Sequence, residues 1–118
     1  MTINKRNHPR IDALNLISYV CIDEDNNLVT QGMGRTLNVS KGGILLDTHV
    51  MIDSHYTLSL RIGFEDDLVD IKGKVVFSKT GVEGNFETGI QFFEIDENAL
   101  KLLKKYIKAF MNSKNSTV

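Results

Sequence analysis

Short runs in which apolar and polar residues alternate, separated by clusters of turn-forming residues, fill most of the sequence between residues 13 and 95. The clearest is YTLSLRIGF, residues 56–64, in which Leu58, Leu60 and Ile62 share one face. A period of two is the spacing of a β-strand that packs one face against a core. The pattern therefore predicts six strands, over residues 13–23, 28–40, 42–48, 56–64, 68–80 and 85–95.

The connections between these strands are mostly short turns, which favours an antiparallel sheet closed into a small barrel. Gly32 and Gly34 lie within the second strand and predict a bulge or bend there. The alternation also predicts which large side chains point into the barrel: Phe64, Val69, Ile71, Val75, Phe77, Phe86 and Phe92.

The spacing of apolar residues changes after Asp96, where DENALKLLKKYIKAFM has the period of an amphipathic helix. Asp96 is suited to cap its N-terminus. The predicted apolar face holds Leu100, Leu103, Ile107 and Phe110, with Lys101, Lys104, Lys105 and Lys108 largely outside it. The predicted fold class is therefore mainly β, a six-stranded antiparallel β-barrel with one C-terminal α-helix. Its expected limits are residues 12–111, preceded by a flexible segment (1–11) and followed by a disordered tail (112–118).

Composition excludes several functional classes. The 118 residues are 42% hydrophobic and carry a net charge of −1, so no overall basic field attracts DNA, RNA or an anionic membrane. Cys21 is the only cysteine and lies in an apolar run, which predicts a buried core residue rather than a disulfide or zinc ligand. No signal peptide or transmembrane run is visible, and we expect a soluble, cytoplasmic protein.

Two short motifs stand out against this background. RNHPR places Arg6 and Arg10 before the first strand, and NVSKGG places Asn38, Ser40 and Gly43 where the second strand turns into the third. By composition alone, the patterns Arg-x-x-x-Arg and Asp/Asn-x-Ser-x-x-Gly would occur together by chance roughly 1% of the time. Either motif alone would be weak evidence of a site, but the pair is strong evidence.

With both motifs complete, the chain resembles the PilZ family over roughly residues 5–111. The resemblance also covers the six-stranded barrel, the late strand GIQF (89–92) and the closing helix. It implies a receptor for the bacterial second messenger cyclic di-GMP, with Arg6, Arg10, Asn38, Ser40 and Gly43 as ligand-binding residues and no further cofactor. Lys5 is an additional candidate for a phosphate contact. A receptor without an effector domain would signal in trans to a protein partner that the sequence does not identify.

The residue types suit that ligand. An arginine fork binds phosphate with two hydrogen bonds, pairs with guanine O6 and N7, and stacks on a base. Asn38 and Ser40, two apart on a strand, should point to the same side. Gly43 allows either close backbone approach or a positive φ. Many family members have Asp where this chain has Asn38, and because an amide offers one acceptor oxygen, we expect weaker guanine binding here.

Other functions have less support from the residues. The three histidines lack metal-ligand spacing, the Glu65–Asp67 carboxylates fit a solvated turn, and no nucleophile or phosphate-binding loop is present, so no enzyme or metal site is predicted. Two alternatives stay open. One is a PilZ-like barrel that acts only through protein contacts, and the other is a barrel that binds single-stranded nucleic acid, which would need exposed aromatic residues among basic ones.

Overall fold

A computed structural model describes residues 16–115, with side chains as far as Ser113. It has six strands and one helix, which is the predicted fold class: β1 (Leu16–Ile22), β2 (Leu28–Val39), β3 (Gly43–Thr48), β4 (Thr57–Phe64), β5 (Asp67–Thr80), β6 (Phe86–Glu94) and α1 (Glu97–Asn115). Lys5, Arg6, Arg10 and the predicted flexible segment lie outside the described residues, as do residues 116–118.

The strands form a closed barrel in the order β1-β2-β3-β6-β5-β4, and every neighbouring pair is antiparallel. Four of the five connections join strands that are neighbours in the barrel. The exception is the connection from β3 to β4, because β3 pairs with β6. This non-local pairing brings the NVSKGG turn beside the late strand. Inward residues of all six strands form one core, exemplified by Leu58, Leu60 and Ile62, which are fully buried as predicted.

The predicted irregularity is present in β2, but it does not lie at Gly32 or Gly34. Both face inward, where a Cβ on Gly32 would lie 2.7 Å from the Tyr19 hydroxyl and one on Gly34 would lie 3.2 Å from Leu46 Cβ. They leave room for larger side chains of neighbouring strands. The register of β2 against β3 shifts further along, between Thr36 and Asn38.

Another bulge interrupts the pairing of β5 with β6 between Val75 and Phe77. Val75 faces inward and is buried, but the extra residue reverses the alternation that follows. Phe77 therefore lies on the outer surface with 43% of its area exposed, and its predicted inward position is wrong. Of the other aromatic residues, Phe92 is buried as predicted, and Phe64 is half-buried against the core.

The helix α1 begins as predicted, because the Asp96 carboxylate accepts a hydrogen bond from the Ala99 amide at 2.8 Å. Its buried face is rotated from the predicted one. Leu103 and Phe110 are buried as predicted, but Leu100 and Ile107 are only half-buried. On the other side of Leu103, the residues Ala99, Leu102 and Tyr106 are buried instead. The helix also continues to Asn115, past the predicted limit at residue 111.

The Tyr106 side chain connects the helix to the barrel. It is 1% exposed, and its hydroxyl lies 2.8 Å from the Thr36 hydroxyl of β2 in a buried hydrogen bond. Burial raises the pKa of Tyr106 above its usual value of 10.0. Because Thr36 is two positions before Asn38, the helix is fixed to the same strand that carries the second motif.

Candidate functional site

The second motif lies at the end of β2, and its side chains point outward. Asn38 and Ser40 are exposed, while Val39 between them is 6% exposed, so the prediction that the two polar residues share a side is confirmed. The Ser40 amide donates to the Gly43 carbonyl at 2.9 Å and closes the turn. The Ser40 hydroxyl oxygen accepts a hydrogen bond from the Gly42 amide at 3.2 Å, which holds the Ser40 side chain against this turn.

Gly43 is required by close packing between strands. A Cβ on this residue would collide with the carbonyl oxygen of Ile90 in β6 and would lie 3.4 Å from Gln91 Cα. Positive φ, the other possibility considered for it, does not apply, since Gly84 is the glycine with positive φ among the described residues. The Phe92 amide donates to the Gly42 carbonyl at 2.9 Å, so the turn is also held to β6 by its backbone.

A groove of about 540 Å³ runs along the outer surface beside this turn. Successive strand pairings place Asn38 opposite Leu45, Leu45 opposite Gly89 and Gly89 opposite Phe77. These residues form one row across β2, β3, β6 and β5, and neighbouring strands lie roughly 4.8 Å apart. Ser40, Gly42, Gly43 and Gln91 line the groove next to that row. Its volume is within the range of small-molecule sites in proteins.

The Phe77 ring gives the groove a flat apolar surface. A Cβ on Gly89 would overlap the ring, so the ring lies directly over the Gly89 backbone. The Lys79 ammonium lies 5.5 Å from the centre of the ring, within the range of a cation–π contact. An aromatic face of this kind can stack on a nucleobase.

Sequence reasoning missed Phe77 and Gln91 as candidate site residues. Alternation alone assigned Phe77 to the core, because the bulge that turns it outward has no marker such as glycine at Val76. Gln91 is exposed and pairs directly with Gly43. The alternation in GIQF could have placed it on the outer face, but only the β3–β6 pairing places it beside the turn.

Charged side chains flank the groove on one side. Arg35 pairs with Asp47, Asp47 with Glu87, and Glu87 with Lys79, in a row adjacent to the one that holds Phe77. The row carries two positive and two negative charges, with the cations on its outer strands. The groove itself is lined by neutral residues, so a ligand there would meet hydrogen-bonding and apolar groups first.

The polar residues of two exposed turns are explained by local structure. Asp53 pairs with His55 in an exposed turn, where hydrogen bonds from the His55 amide and ring lower the pKa of Asp53 and the carboxylate raises that of His55. Within residues 16–115, no group of three or more His, Cys, Asp and Glu side chains could hold a metal ion. The Glu65–Asp67 carboxylates are exposed at the β4–β5 turn.

Arg61 on β4 belongs to a different part of the surface. Its guanidinium donates two hydrogen bonds to Asp70, at 2.9 and 3.2 Å, and these lower the pKa of that carboxyl. Cys21 is buried in the core as predicted, and burial raises the pKa of its thiol. In the described part of the chain, no helix is both long and apolar enough to cross a membrane.

Comparison with known protein families identifies the class to which this barrel and groove belong. The family model of the PilZ domain matches residues 4–109, and the chain belongs to that family. PilZ domains are a family of cyclic di-GMP-binding domains, and they act as binding or adaptor modules rather than as enzymes. No curated protein matches the sequence.

Proposed function

We propose that this protein is a cyclic di-GMP receptor that binds the messenger between its N-terminal arginines and the outer groove, and signals in trans to a protein effector. The observation that carries the proposal is the groove, in which Asn38, Ser40 and the Phe77 ring converge beside the PilZ motif turn. The expected cytoplasmic location and the absence of a further cofactor are part of this proposal.

The groove offers the complementary groups that a guanine base needs. The Phe77 ring can stack on the base, while the Asn38 amide and the Ser40 hydroxyl can form hydrogen bonds with its edge. Cyclic di-GMP also carries two phosphates, for which the groove has no cation among its lining residues. Arg6 and Arg10, with Lys5 as a further candidate, would supply those contacts.

Chain length allows both arginines to reach the groove. Leu16, the first described residue, pairs with Arg35, which lies three positions before Asn38 on the same strand. That separation is on the order of 10 Å along the strand. Arg10 and Arg6 are six and ten residues before Leu16, and an extended chain of that length spans roughly 20 and 33 Å.

The mechanism follows from these contacts. Residues 4–11 have few apolar side chains, so ordering them without a ligand would cost roughly 1–2 kcal/mol per residue with little compensation. The messenger would supply the missing contacts by bridging the arginines to the turn at 38–43. An effector that recognises the closed segment would then bind only when the messenger is present.

Isothermal titration calorimetry with cyclic di-GMP tests the binding function. We expect a Kd in the micromolar range or tighter, about −8 kcal/mol or better. GMP and GTP should compete poorly, because each has one guanine and cannot bridge both parts of the site. Absence of binding at high ligand excess would contradict the proposal and would favour a barrel that acts through protein contacts alone.

Variants of the two arginines test the site. Arg6→Ala and Arg10→Ala should each lose about 1.5–3 kcal/mol of binding free energy, the range for a hydrogen bond to a charged group. The matched control is Arg61→Ala, which removes the same charge from β4 outside the groove and should leave the Kd unchanged. Equal losses for all three variants would show a general charge effect and exclude the proposed arginine contacts.

A further inference from the structure

The charge of this protein is divided unevenly between the helix and the rest of the chain. The segment Glu97–Asn115 contains five lysines and one glutamate, a net charge of +4. The rest of the chain has nine basic and 14 acidic residues, a net charge of −5. The overall charge of −1 therefore conceals a strongly basic helix on an acidic barrel.

Four of these lysines form a continuous stripe on the helix surface. Lys101, Lys104, Lys105 and Lys108 are all exposed and fall within an arc of roughly 100° around the helix axis. The buried face, centred between Leu102 and Leu103, lies on the opposite side of the helix. Lys104 and Lys108 therefore point away from the barrel, whereas Lys101 and Lys105 also line a surface cavity with Asp67, Asp70 and Asp96. We call this surface the lysine stripe.

In the described part of the chain, no lysine of the stripe forms an ion pair. Among residues 16–113, the ion pairs are Asp53–His55, Arg61–Asp70 and Lys72–Glu94, and none involves the helix. Like charges at i, i+4 destabilise a helix by about 0.2–0.5 kcal/mol per pair, and Lys101–Lys105 and Lys104–Lys108 are two such pairs. A ligand with carboxylates at matching spacing would relieve that repulsion.

Three kinds of anionic partner could bind the lysine stripe: a membrane, a nucleic acid or an acidic protein segment. A basic amphipathic helix binds a membrane by inserting its apolar face, but here Leu103, Tyr106 and Phe110 are covered by the barrel. Nucleic-acid surfaces combine arginine and exposed aromatic residues with lysine, and the stripe has neither. A protein segment rich in Asp and Glu needs only the charges and the shape that the stripe provides.

We propose that the lysine stripe is a docking surface for a carboxylate-rich segment of another protein. One edge of the stripe is followed by three apolar residues, Leu100, Ile107 and Met111. The first two are half-buried and Met111 is exposed, so they offer an apolar margin for a partner that is not purely acidic. The proposal does not depend on messenger binding.

The test uses poly-L-glutamate as a probe of the full-length protein, with binding followed by NMR shifts of labelled protein. We expect the largest shifts at Lys101, Lys104, Lys105 and Lys108. A variant with all four changed to Gln should bind the probe at least tenfold more weakly. The matched control changes Lys41, Lys72, Lys74 and Lys79 on the barrel to Gln, which alters the net charge equally and should retain the affinity. Melting temperatures of both variants establish that each is folded.

Three results would overturn the proposal. One is the absence of shifts on the helix with poly-L-glutamate. Another is an equal loss of affinity in the barrel control, which would show that net charge alone governs binding. The third is tighter, stripe-dependent binding to phosphatidylserine vesicles or to duplex DNA, which would make the partner a membrane or a nucleic acid instead.

Discussion

Replacement of Gly43 by alanine tests the packing that forms the candidate site. The new Cβ would meet the Ile90 carbonyl oxygen and Gln91 Cα, which are both backbone atoms of β6. Neither atom can rotate away as a flexible side chain would, so the start of β3 must move from β6. Overpacking of this kind costs about 1–3 kcal/mol.

Gly42→Ala is the matched control for this variant. A Cβ there would have the Ser40 hydroxyl oxygen at 3.9 Å as its nearest neighbour, and φ at this residue is not positive. Both substitutions restrict the unfolded chain to the same extent, which stabilises by about 0.4–1 kcal/mol where the native backbone is compatible. The difference between the variants therefore measures the clash at Gly43.

Thermal and urea unfolding followed by circular dichroism would measure that difference. At roughly 4 °C per kcal/mol for a domain of this size, Gly43→Ala should melt about 4–12 °C below Gly42→Ala. It should also bind cyclic di-GMP more weakly at temperatures where it is folded, because the Ser40–Gly43 turn is displaced. Equal stability of the two variants would refute the close approach of β3 to β6 at this position.

Three further predictions follow from individual side chains. Phe77→Ala should weaken messenger binding by about 1–3 kcal/mol, roughly 5- to 150-fold in Kd by calorimetry, because base stacking is lost; Val82→Ala, at an exposed apolar position outside the groove, should not, and equal effects would exclude stacking. Thr36→Val should lower the free energy of unfolding by about 1 kcal/mol, since it removes the buried hydrogen bond to Tyr106; an unchanged urea midpoint would contradict this. Cys21 should resist thiol reagents at neutral pH until the protein unfolds, because it is buried with a raised thiol pKa. Rapid labelling of the native protein would show that the Cys21 thiol is accessible. Because the pKa of this thiol is near 9.0 in the unfolded chain and higher in the folded protein, its contribution to stability should be present below pH 9.0 and be lost as pH rises through the folded pKa.

The sequence was informative wherever local periodicity decides structure. β4 alternates without interruption, so its buried residues Leu58, Leu60 and Ile62 could be assigned from spacing alone. The Asp96 cap is likewise a local signal. Such features depend on contacts within a few residues and need no knowledge of which strands pair.

Prediction failed where the barrel imposes long-range constraints. The bulge at Val75–Phe77 lies in the pairing of β5 with β6 and turns Phe77 to the outer face of the barrel. No nearby residue indicates this bulge in the sequence. The buried face of the helix differs from the predicted one because packing against the barrel determines it, and Tyr106 contacts Thr36, which is 70 positions away. For the same reason Gln91 was missed as a candidate site residue, since it lies beside the turn at 38–43 only because β6 pairs with β3.

The central claim is that cyclic di-GMP joins the N-terminal arginines to the turn at 38–43. Amide hydrogen exchange with and without saturating messenger measures this directly. We predict that protection rises in residues 4–11 and around 38–43, with little change in the helix α1. Binding that leaves the exchange of residues 4–11 unchanged would contradict the closure of this segment over the groove, and protection confined to the helix would place the messenger elsewhere.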